Sequence, residues 1–437
     1  MTSILLLYPT VLTMVSENDV IDEGYIYIDN GKIISAGKVS ELPHDYRYAD
    51  LVLNLRGRIV LPGFISYHNH LALHFIRFMG LGLTLDEWID LVAWPYEKSL
   101  TPEESYHAAK LAIYSLLRNG VVGVADMHFN MNSVAKAVQE SGIIANLSVA
   151  IMDTQIKTYE ETLKENMVLF KKWNGVDDNR ITVSLGPCGI RFLKPDQLQE
   201  ISTIAKEQNF YIHMHISEVQ EDVKYAKKKF GKRPVEVLRD MGFLGEKTLL
   251  AHAVWVSERE IDYVAKTLTN IAHCPISNTL LLSGIAPLIN MLRKNVRVGF
   301  GIDINPEWDV LAEARLAMYL TNNLYGTPPR LQPFEILKMA TGGLAKFPGI
   351  EKHGLIKPGY DANIVAINAK TPEGWPYRKA YYSAVLFSRA NIETVIVRGE
   401  VLVDGGEVLT IGDRDIEKAK RVLSKKLEEL PIFKQSK

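Results

Sequence analysis

The chain has 437 residues, of which 47% are hydrophobic and 23% are charged, and its formal net charge is −1. This composition excludes an intrinsically disordered protein. The near balance of 50 basic and 51 acidic residues argues against nucleic-acid partners and against binding to an anionic membrane. Two cysteines, Cys188 and Cys274, are too few for a disulfide scaffold and fit a reducing compartment.

The first residues of the chain do not have the pattern of a signal peptide. They lack a basic region, and Pro9 and Thr10 interrupt their apolar run. The chain contains no stretch of about 18 or more apolar residues, so no transmembrane helix is expected. We therefore expect a cytoplasmic protein that does not bind membranes.

Strand-like segments lie at both ends of the chain. Near the start, two β-branched runs (25–29 and 32–36) flank Asn30-Gly31, which is a strong signal for a hairpin. Near the other end, β-branched residues dominate three segments, at 361–367, 394–398 and 401–403. We expect these ends to form one small β-sandwich domain from residues 1–60 and 355–412.

The middle of the chain alternates short apolar runs with helical patterns. Such alternation predicts a parallel sheet, and eight repeats of it are typical of a closed barrel. The predicted strands are residues 58–66, 121–127, 144–151, 181–186, 210–215, 248–252, 270–273 and 296–303. The predicted fold class is therefore α/β, a (β/α)8 TIM barrel over residues 61–354 beside the small β-sandwich.

Two helices have clear signals of their own. Thr101 is a good N-cap, since Pro102 takes the first helical position and Glu104 stands three residues after the cap; Gly120 ends the pattern. Residues 416–430 have the pattern of an amphipathic surface helix. We place that helix in a separate C-terminal segment, residues 413–437.

Histidines concentrate at the carboxyl ends of the predicted strands, where barrel enzymes place their chemistry. Six of the 11 histidines and one aspartate lie there: His68, His70, His213, His215, His252, His273 and Asp303. Within each His-x-His pair the two rings share a face of the strand and can converge on one ion. A lone histidine at a strand end is more often structural, but the whole set predicts a metal site. Imidazoles with a carboxylate suit one divalent ion such as Zn²⁺ or Fe²⁺.

Glu218 stands three residues after His215, just past the fifth predicted strand. A carboxylate at this position can take a proton from a metal-bound water and pass it to a leaving nitrogen. The alternative is a carboxylate that interacts favourably with the dipole of the following helix. The neighbouring histidines favour the catalytic interpretation.

Several different short motifs are distributed along nearly the whole chain. They are Pro62-Gly63-Phe64 before His68-Asn69-His70, Glu87-Trp88-Ile89, His215-Ile216-Ser217-Glu218, Leu250-Ala251-His252, Ala272-His273-Cys274-Pro275 with Ser277-Asn278, Gly301 with Asp303, and residues 354–361. Together these motifs resemble the amidohydrolase superfamily. The branch most similar to them contains the aminohydrolases and chlorohydrolases that act on purine, pyrimidine and s-triazine rings.

The resemblance implies a role for most residues at the strand ends. The implied ligands of a single catalytic metal are His68, His70, His215 and Asp303. Glu218 would shuttle a proton to the ring and the leaving group, and His252 would orient the water and polarise the reacting centre. Asp303 would also act as the base that takes the water's proton. The resemblance leaves His213 and His273 without a role.

The implied reaction is hydrolytic deamination of an amino-substituted nitrogen heterocycle through a metal-bound hydroxide. A flat ring needs an apolar pocket, and the candidate walls are Trp88, His128, Cys188 and Trp308. Cys188 resembles the oxopurine and triazine relatives, because adenosine-type members tend to carry histidine there. Residues 142–153 contain no arginine, whereas relatives that bind S-adenosylhomocysteine are expected to hold its carboxylate with one.

Two alternatives remain open from the sequence. One is hydrolytic removal of an alkylamine or halide from a similar ring, and the other is a catalytically silent scaffold. Glu218 and Asp303 are intact, which favours an amine leaving group, and a scaffold is expected to have lost ligands. The expected partners are a small heterocyclic substrate and, from the resemblance, further copies of this chain in a homodimer or larger homo-oligomer.

Overall fold

The structure is a computed structural model that describes residues 2–325, 331–344, 348–372, 380–386 and 391–429. Strands and helices alternate through its middle, and strands dominate both ends. The strands are β1 (Ile4–Leu7), β2 (Thr10–Leu12), β3 (Val20–Ile21), β4 (Gly24–Asp29), β5 (Lys32–Lys38), β6 (Leu51–Asn54), β7 (Arg58–Pro62), β8 (Phe64–Asn69), β9 (Val121–His128), β10 (Ile144–Ile151), β11 (Ile181–Val183), β12 (Gly186–Pro187), β13 (Ile212–Ile216), β14 (Thr248–His252), β15 (Asn270–His273), β16 (Arg297–Phe300), β17 (Ile364–Asn368), β18 (Ile392–Val397), β19 (Glu400–Asp404) and β20 (Glu407–Val408).

The helices lie mainly between the middle strands. They are α1 (Leu85–Trp88), α2 (Trp94–Ser99), α3 (Pro102–Arg118), α4 (Met131–Ser141), α5 (Tyr159–Trp173), α6 (Val176–Asn179), α7 (Pro195–Glu207), α8 (Gln220–Phe230), α9 (Pro234–Met241), α10 (Glu258–Lys266), α11 (Pro275–Leu280), α12 (Leu288–Arg293), α13 (Val310–Tyr325), α14 (Pro333–Gly342), α15 (Ala380–Leu386) and α16 (Asp413–Glu429). Further helical turns occur at Val39–Glu41, His44–Tyr48, Leu71–Gly80 and Ile89–Ala93.

The middle strands form two parallel sheets. One has the order β11-β10-β9-β8, with β12 also pairing with β10, and the other has the order β13-β14-β15-β16. Single parallel bridges link the sheets at both edges, Asn69 with Asp303 and Leu185 with Ile212. The carboxyl ends of these strands therefore face one common region, because parallel strands in hydrogen-bonded register end on the same side.

Strands occur at all eight predicted positions, but two of them differ from the prediction. Residues 58–66 form two strands, because the backbone changes partner between Gly63, whose N–H donates to Asn363, and Phe64, whose N–H donates to Gly120. β7 thus joins the strands from the chain ends, and β8 alone joins the parallel set. The predicted strand at 181–186 is likewise interrupted and appears as β11 and β12.

The strands from the chain ends form two further sheets. A four-stranded sheet has the order β5-β4-β1-β6, and a seven-stranded sheet has the order β20-β19-β18-β17-β7-β2-β3. The second sheet contains strands from both the N-terminal and the C-terminal part of the chain, since β7 pairs antiparallel with β17. Buried side chains from both sheets, such as Leu6 and Ile28 from the first and Val60 and Ile364 from the second, share one apolar cluster.

The predicted local signals are present in the structure. Asn30 and Gly31 have φ of 48° and 74°, the left-handed conformations that a tight turn between β4 and β5 requires. Thr101 caps α3 by accepting a hydrogen bond from the N–H of Glu104. The C-terminal helix is α16, and the predicted part beyond it, residues 430–437, lies outside the described residues. Within the described residues, no helix combines the length and apolarity needed to cross a membrane.

Candidate active site

Six side chains from four separate parts of the chain meet at the carboxyl ends of the parallel strands. We call them the strand-end cluster: His68, His70, His215, Glu218, His252 and Asp303. Three overlapping sets within it each bring their ligand atoms to within 4.8 Å of one another: His68 with His70 and Asp303, His68 with His215 and His252, and Glu218 with His252 and Asp303. The structure therefore brings together all the residues predicted as metal ligands or catalytic groups.

Four of these side chains direct ligand atoms at one another. The Nε2 atoms of His70 and His215 are 3.3 Å apart, and Asp303 Oδ1 lies 3.3 Å from His70 Nε2 and 3.6 Å from His68 Nε2. The far ring nitrogens are engaged elsewhere. His70 Nδ1 donates to the Met127 carbonyl and His215 Nδ1 to the Cys188 carbonyl, both at 2.5 Å. This tautomer leaves Nε2 free to bind an ion.

The donor set fits a divalent cation. His68 Nε2 is buried and has no hydrogen-bond partner among the described residues. Burial lowers the pKa of His68 and His70, and it lowers that of His215 to about 3, so the rings are neutral, which is the form that binds metal. Burial alone would raise the pKa of Asp303, but the surrounding imidazoles lower it well below its usual range. Three neutral imidazoles and one carboxylate are a ligand set for Zn²⁺ or Fe²⁺.

Glu218 and His252 form the other side of the cluster. His252 Nδ1 donates to Asn278 Oδ1 at 2.9 Å, while its Nε2 lies 3.5 Å from Glu218 Oε2 and 3.9 Å from Asp303 Oδ2. Burial raises the pKa of Glu218 to about 7. Burial alone would lower the pKa of His252, but the charges of Glu218 and Asp303 and the hydrogen bond with Asn278 together outweigh burial and raise the pKa. A carboxyl group with a pKa near neutrality can both accept and donate a proton.

Several residues at the strand ends have unusual backbone conformations. Ser217, His252 and Asp303 have φ of 47°, 74° and 52°, in the left-handed region that non-glycine residues seldom adopt. Such strain, about 1–3 kcal/mol per residue, persists only where surrounding contacts impose it. At Asp303 these contacts are visible, because its N–H donates to the His68 carbonyl and its Oδ2 accepts from Ser277 Oγ at 2.5 Å.

A cavity of about 920 Å³, its open mouth included, adjoins the strand-end cluster. Trp88, His128 and Cys188 line it, as the sequence predicts for the substrate pocket. Trp308, which was also predicted as a wall of the pocket, is not among its lining residues. Its backbone has φ of 53° and its carbonyl accepts from Asn119, and its ring is buried with its centre 5.1 Å from that of His74.

Other lining residues were not predicted from the sequence: Trp94, Glu97, Phe129, Met152, Arg191 and Phe192. Phe129 and Met152 directly follow β9 and β10, so their positions at strand ends were a usable signal. Glu97 lies on α2, and its Oε1 is 3.1 Å from His128 Nε2. The sequence of that short helix contains no signal that places it over the strand ends.

Arg191 connects α1 to the segment that carries Glu218. Its Nη1 donates to Asp86 Oδ1 at 2.9 Å, and its Nε lies 2.7 Å from Asp222 Oδ1. The other oxygen of Asp222 accepts from the backbone N–H groups of Glu218 and Val219, at 2.8 and 3.2 Å. The guanidinium is thus held between two carboxylates, one of which fixes the Glu218 backbone.

The two histidines without a predicted role occupy different surroundings. His213 is buried beside the cluster, with its Nε2 2.8 Å from His68 Nδ1. His273 lines a separate small cavity with Pro275 and Asn278. Only His213, of these two, is within hydrogen-bond distance of a predicted metal ligand.

A model of the amidohydrolase family matches residues 59–402 of the chain. The chain belongs to the amidohydrolase family. This amidohydrolase is 34% identical over 414 residues to a 5′-deoxyadenosine deaminase of Methanobrevibacter smithii, an alignment that covers 93% of this chain and 94% of the relative. It is 32% identical over 429 residues to a 5-methylthioadenosine/S-adenosylhomocysteine deaminase of Pelotomaculum thermopropionicum, covering 97% and 99% of the two chains.

The fold is also shared with solved structures. A zinc-bound adenosine deaminase from Xanthomonas campestris superposes with a TM-score of 0.91 at 22% identity, covering 97% of this chain and 98% of the other. At this level of identity the likeness establishes a common fold.

Proposed function

We propose that this amidohydrolase catalyses the hydrolytic deamination of the purine ring of an adenosine-type nucleoside. The observation that carries the proposal is the strand-end cluster, in which a metal-ligand set adjoins a carboxyl group that can transfer protons. The relatives named as 5′-deoxyadenosine and 5-methylthioadenosine/S-adenosylhomocysteine deaminases support the choice of ring. They favour a purine nucleoside over the oxopurine and triazine rings that Cys188 suggests.

His68, His70, His215 and Asp303 would hold the divalent ion. When bound, such an ion lowers the pKa of a coordinated water toward neutrality and so supplies a nucleophile. We infer zinc first, because the Xanthomonas adenosine deaminase was solved with zinc, and keep Fe²⁺ as the alternative.

The protein's own side chains would move the protons of the reaction. The Asp303 carboxylate accepts a proton from the attacking water at Oδ2. The hydroxyl group of Ser277 donates a hydrogen bond to this oxygen and so fixes the position of the carboxylate. Glu218, with a pKa of about 7, donates a proton to a ring nitrogen, so that negative charge does not build up on the ring. His252 Nε2, between these two carboxyl groups, is placed to polarise the reacting centre. Water adds to the ring carbon that carries the amino group. The amino group takes the proton held by Asp303 and leaves as ammonia, while the hydroxyl proton of the adduct returns to Glu218 as the carbonyl forms.

The test is ammonia release by the zinc-loaded or iron-loaded enzyme from adenosine, 5′-deoxyadenosine, 5′-methylthioadenosine, guanine, cytosine and aminotriazines. We expect activity on the adenosine-type nucleosides. A Glu218→Gln variant should lose about 10²- to 10⁴-fold in kcat while it retains its metal, because it lacks the proton carrier.

The matched control is Glu221→Gln, which changes an exposed glutamate on α8 that pairs with Lys224. Its kcat should stay near that of the wild type. Silence of the metal-loaded enzyme across the panel would refute the deaminase proposal. Release of an alkylamine or halide in place of ammonia would favour the alternative leaving groups. The full set of proposed metal ligands argues against a silent scaffold.

We also infer that residues 61–354 form a closed (β/α)8 barrel and that residues 1–60 and 355–412 form a β-sandwich, with 413–437 as a separate segment. The single bridges at both edges of the parallel sheets support closure. The apolar cluster shared by the two end sheets supports the sandwich. A cytoplasmic location and a homodimer or larger homo-oligomer stay predictions.

A further inference from the structure

We propose that the cavity selects adenosine-type nucleosides whose 5′ substituent is small, apolar and uncharged, and that it discriminates against those with an amino-acid tail. The inference rests on the proposed function and narrows its substrate class. Its basis is the polarity and charge of the cavity walls.

Beyond the strand-end cluster, the walls of the cavity are largely apolar. Aromatic and aliphatic side chains from α1, α2, the residue after α11 and the loops that follow several strands face it, among them Trp88, Trp94, Phe129, Met152, Phe192 and Leu281. Phe129 and Met152 are themselves buried in a cluster with Met127 and Ala150, against which Phe192 packs. A methyl or methylthio group placed in this cavity loses contact with water and gains apolar contacts, which favours binding.

Charged side chains in the same walls give an excess of negative charge. Outside the strand-end cluster, the described lining residues include two carboxylates, Glu97 and Asp222, and a single arginine or lysine, Arg191. A substrate carboxylate entering this space meets more negative than positive charge. Its transfer out of water is unfavourable unless a cation pairs with it.

Arg191 is not free to supply that pairing. Its Nη1 donates to both oxygens of Asp86, at 2.9 and 3.2 Å, and its Nε lies 2.7 Å from Asp222 Oδ1. A substrate carboxylate would have to share the Arg191 guanidinium with Asp86 and with Asp222, which also holds the backbone of Glu218. Competition for Arg191 would therefore weaken the contact that fixes the segment carrying the proposed proton donor.

The three substrates of the test differ in the group at the 5′ carbon. 5′-Deoxyadenosine carries a hydrogen there, 5′-methylthioadenosine a methylthio group, and S-adenosylhomocysteine a tail with one ammonium and one carboxylate. The purine and the ribose are the same in all three. A difference in kcat/KM among them therefore reports on how the cavity receives the 5′ group.

The experiment measures kcat/KM for these three nucleosides with the zinc-loaded full-length enzyme, by ammonia release. We expect the values for 5′-deoxyadenosine and 5′-methylthioadenosine to exceed that for S-adenosylhomocysteine by at least 50-fold. A smaller ratio overturns the inference and leaves the proposed function intact. Absence of activity on all three nucleosides, with metal bound, overturns both.

A pair of variants tests whether the missing cation is the cause. Met152→Arg places a guanidinium on the apolar wall, and Met152→Gln is the control of similar length without charge. The measured quantity is the ratio of kcat/KM for S-adenosylhomocysteine to kcat/KM for 5′-methylthioadenosine. This ratio should be at least fivefold higher in Met152→Arg than in Met152→Gln. An unchanged ratio overturns the electrostatic explanation. If Met152→Arg does not fold, Phe192→Arg, at a half-buried position of the same wall, replaces it against Phe192→Gln.

Discussion

The proposed histidine ligands are oriented by what their far ring nitrogens bind. His70 and His215 donate from Nδ1 to backbone carbonyls, which strand geometry supplies. His68 instead faces another side chain, since its Nδ1 lies 2.8 Å from His213 Nε2. With Nε2 of His68 directed at the ion, its Nδ1–H can donate to His213. Groups of this kind fix the orientation of a metal-binding ring and raise its basicity.

Removal of the His213 ring should therefore weaken metal binding. In His213→Ala, the His68 Nδ1–H loses its acceptor and the ring loses its fixed orientation, so we expect metal affinity to fall about 10- to 100-fold. The measurement is the rate at which the variant releases its metal to a chelator.

The matched control for that experiment is His273→Ala, which removes another buried histidine at a strand end, one that lies in a separate cavity. Its metal should be released at about the wild-type rate. Equal release rates for the two variants would show that His213 acts only through packing.

Among the secondary-structure elements, the spacing of β8 and β16 decides how His68 and Asp303 approach each other. Gly301 follows β16, and a Cβ there would lie 2.7 Å from His68 Cβ and 2.8 Å from Cys274 Sγ. The absence of a side chain is what allows the two strand ends to come this close. This steric requirement explains why glycine stands two residues before Asp303 in the sequence motif.

Gly301→Ala should damage both stability and the metal site. We expect a loss of about 1–3 kcal/mol in the free energy of unfolding, as is usual for overpacking, together with weaker metal binding because His68 must shift. Denaturant unfolding and metal analysis measure the two effects. Gly245→Ala is the control, since a Cβ at Gly245 meets no atom within 4 Å. A Gly301→Ala variant with unchanged metal affinity would contradict the steric account.

At the scale of the whole molecule, α16 packs against α3, away from the proposed chemistry. Ala419 and Leu423 are buried against Ala108 and Leu111. Ion pairs surround this contact, including Lys110 Nζ with Asp415 Oδ1 at 3.2 Å. The described residues of α16 therefore contribute to stability, and none of them is among the residues that line the cavity.

Leu423→Ala should separate stability from activity. The side chain is fully buried, so its truncation is expected to cost about 2–4 kcal/mol in the free energy of unfolding. The metal content and kcat of the folded variant should match those of the wild type. Leu409→Ala, at a position that is 58% exposed, is the control and should change stability little. A large drop in kcat for Leu423→Ala would show that α16 influences the active site.

The sequence by itself determined which residues are proposed to have chemical roles and where the strands that carry them lie. Those signals are local, because a strand, its terminal His-x-His pair and a following glutamate lie within a few residues of one another. The Thr101 cap and the Asn30-Gly31 turn could be predicted for the same reason.

The tertiary structure alone decided the partners of these residues. His213 and His215 are equivalent in the sequence pattern. Only the placement of His68, 145 residues before His213, distinguishes the ring that contacts His68 from the ring proposed to bind the ion. The positions of Trp308 and Arg191 relative to the cavity could not be predicted from the sequence either. Whether a side chain lines the cavity depends on how loops and short helices pack over the strand ends, and that packing is set by contacts between distant parts of the chain.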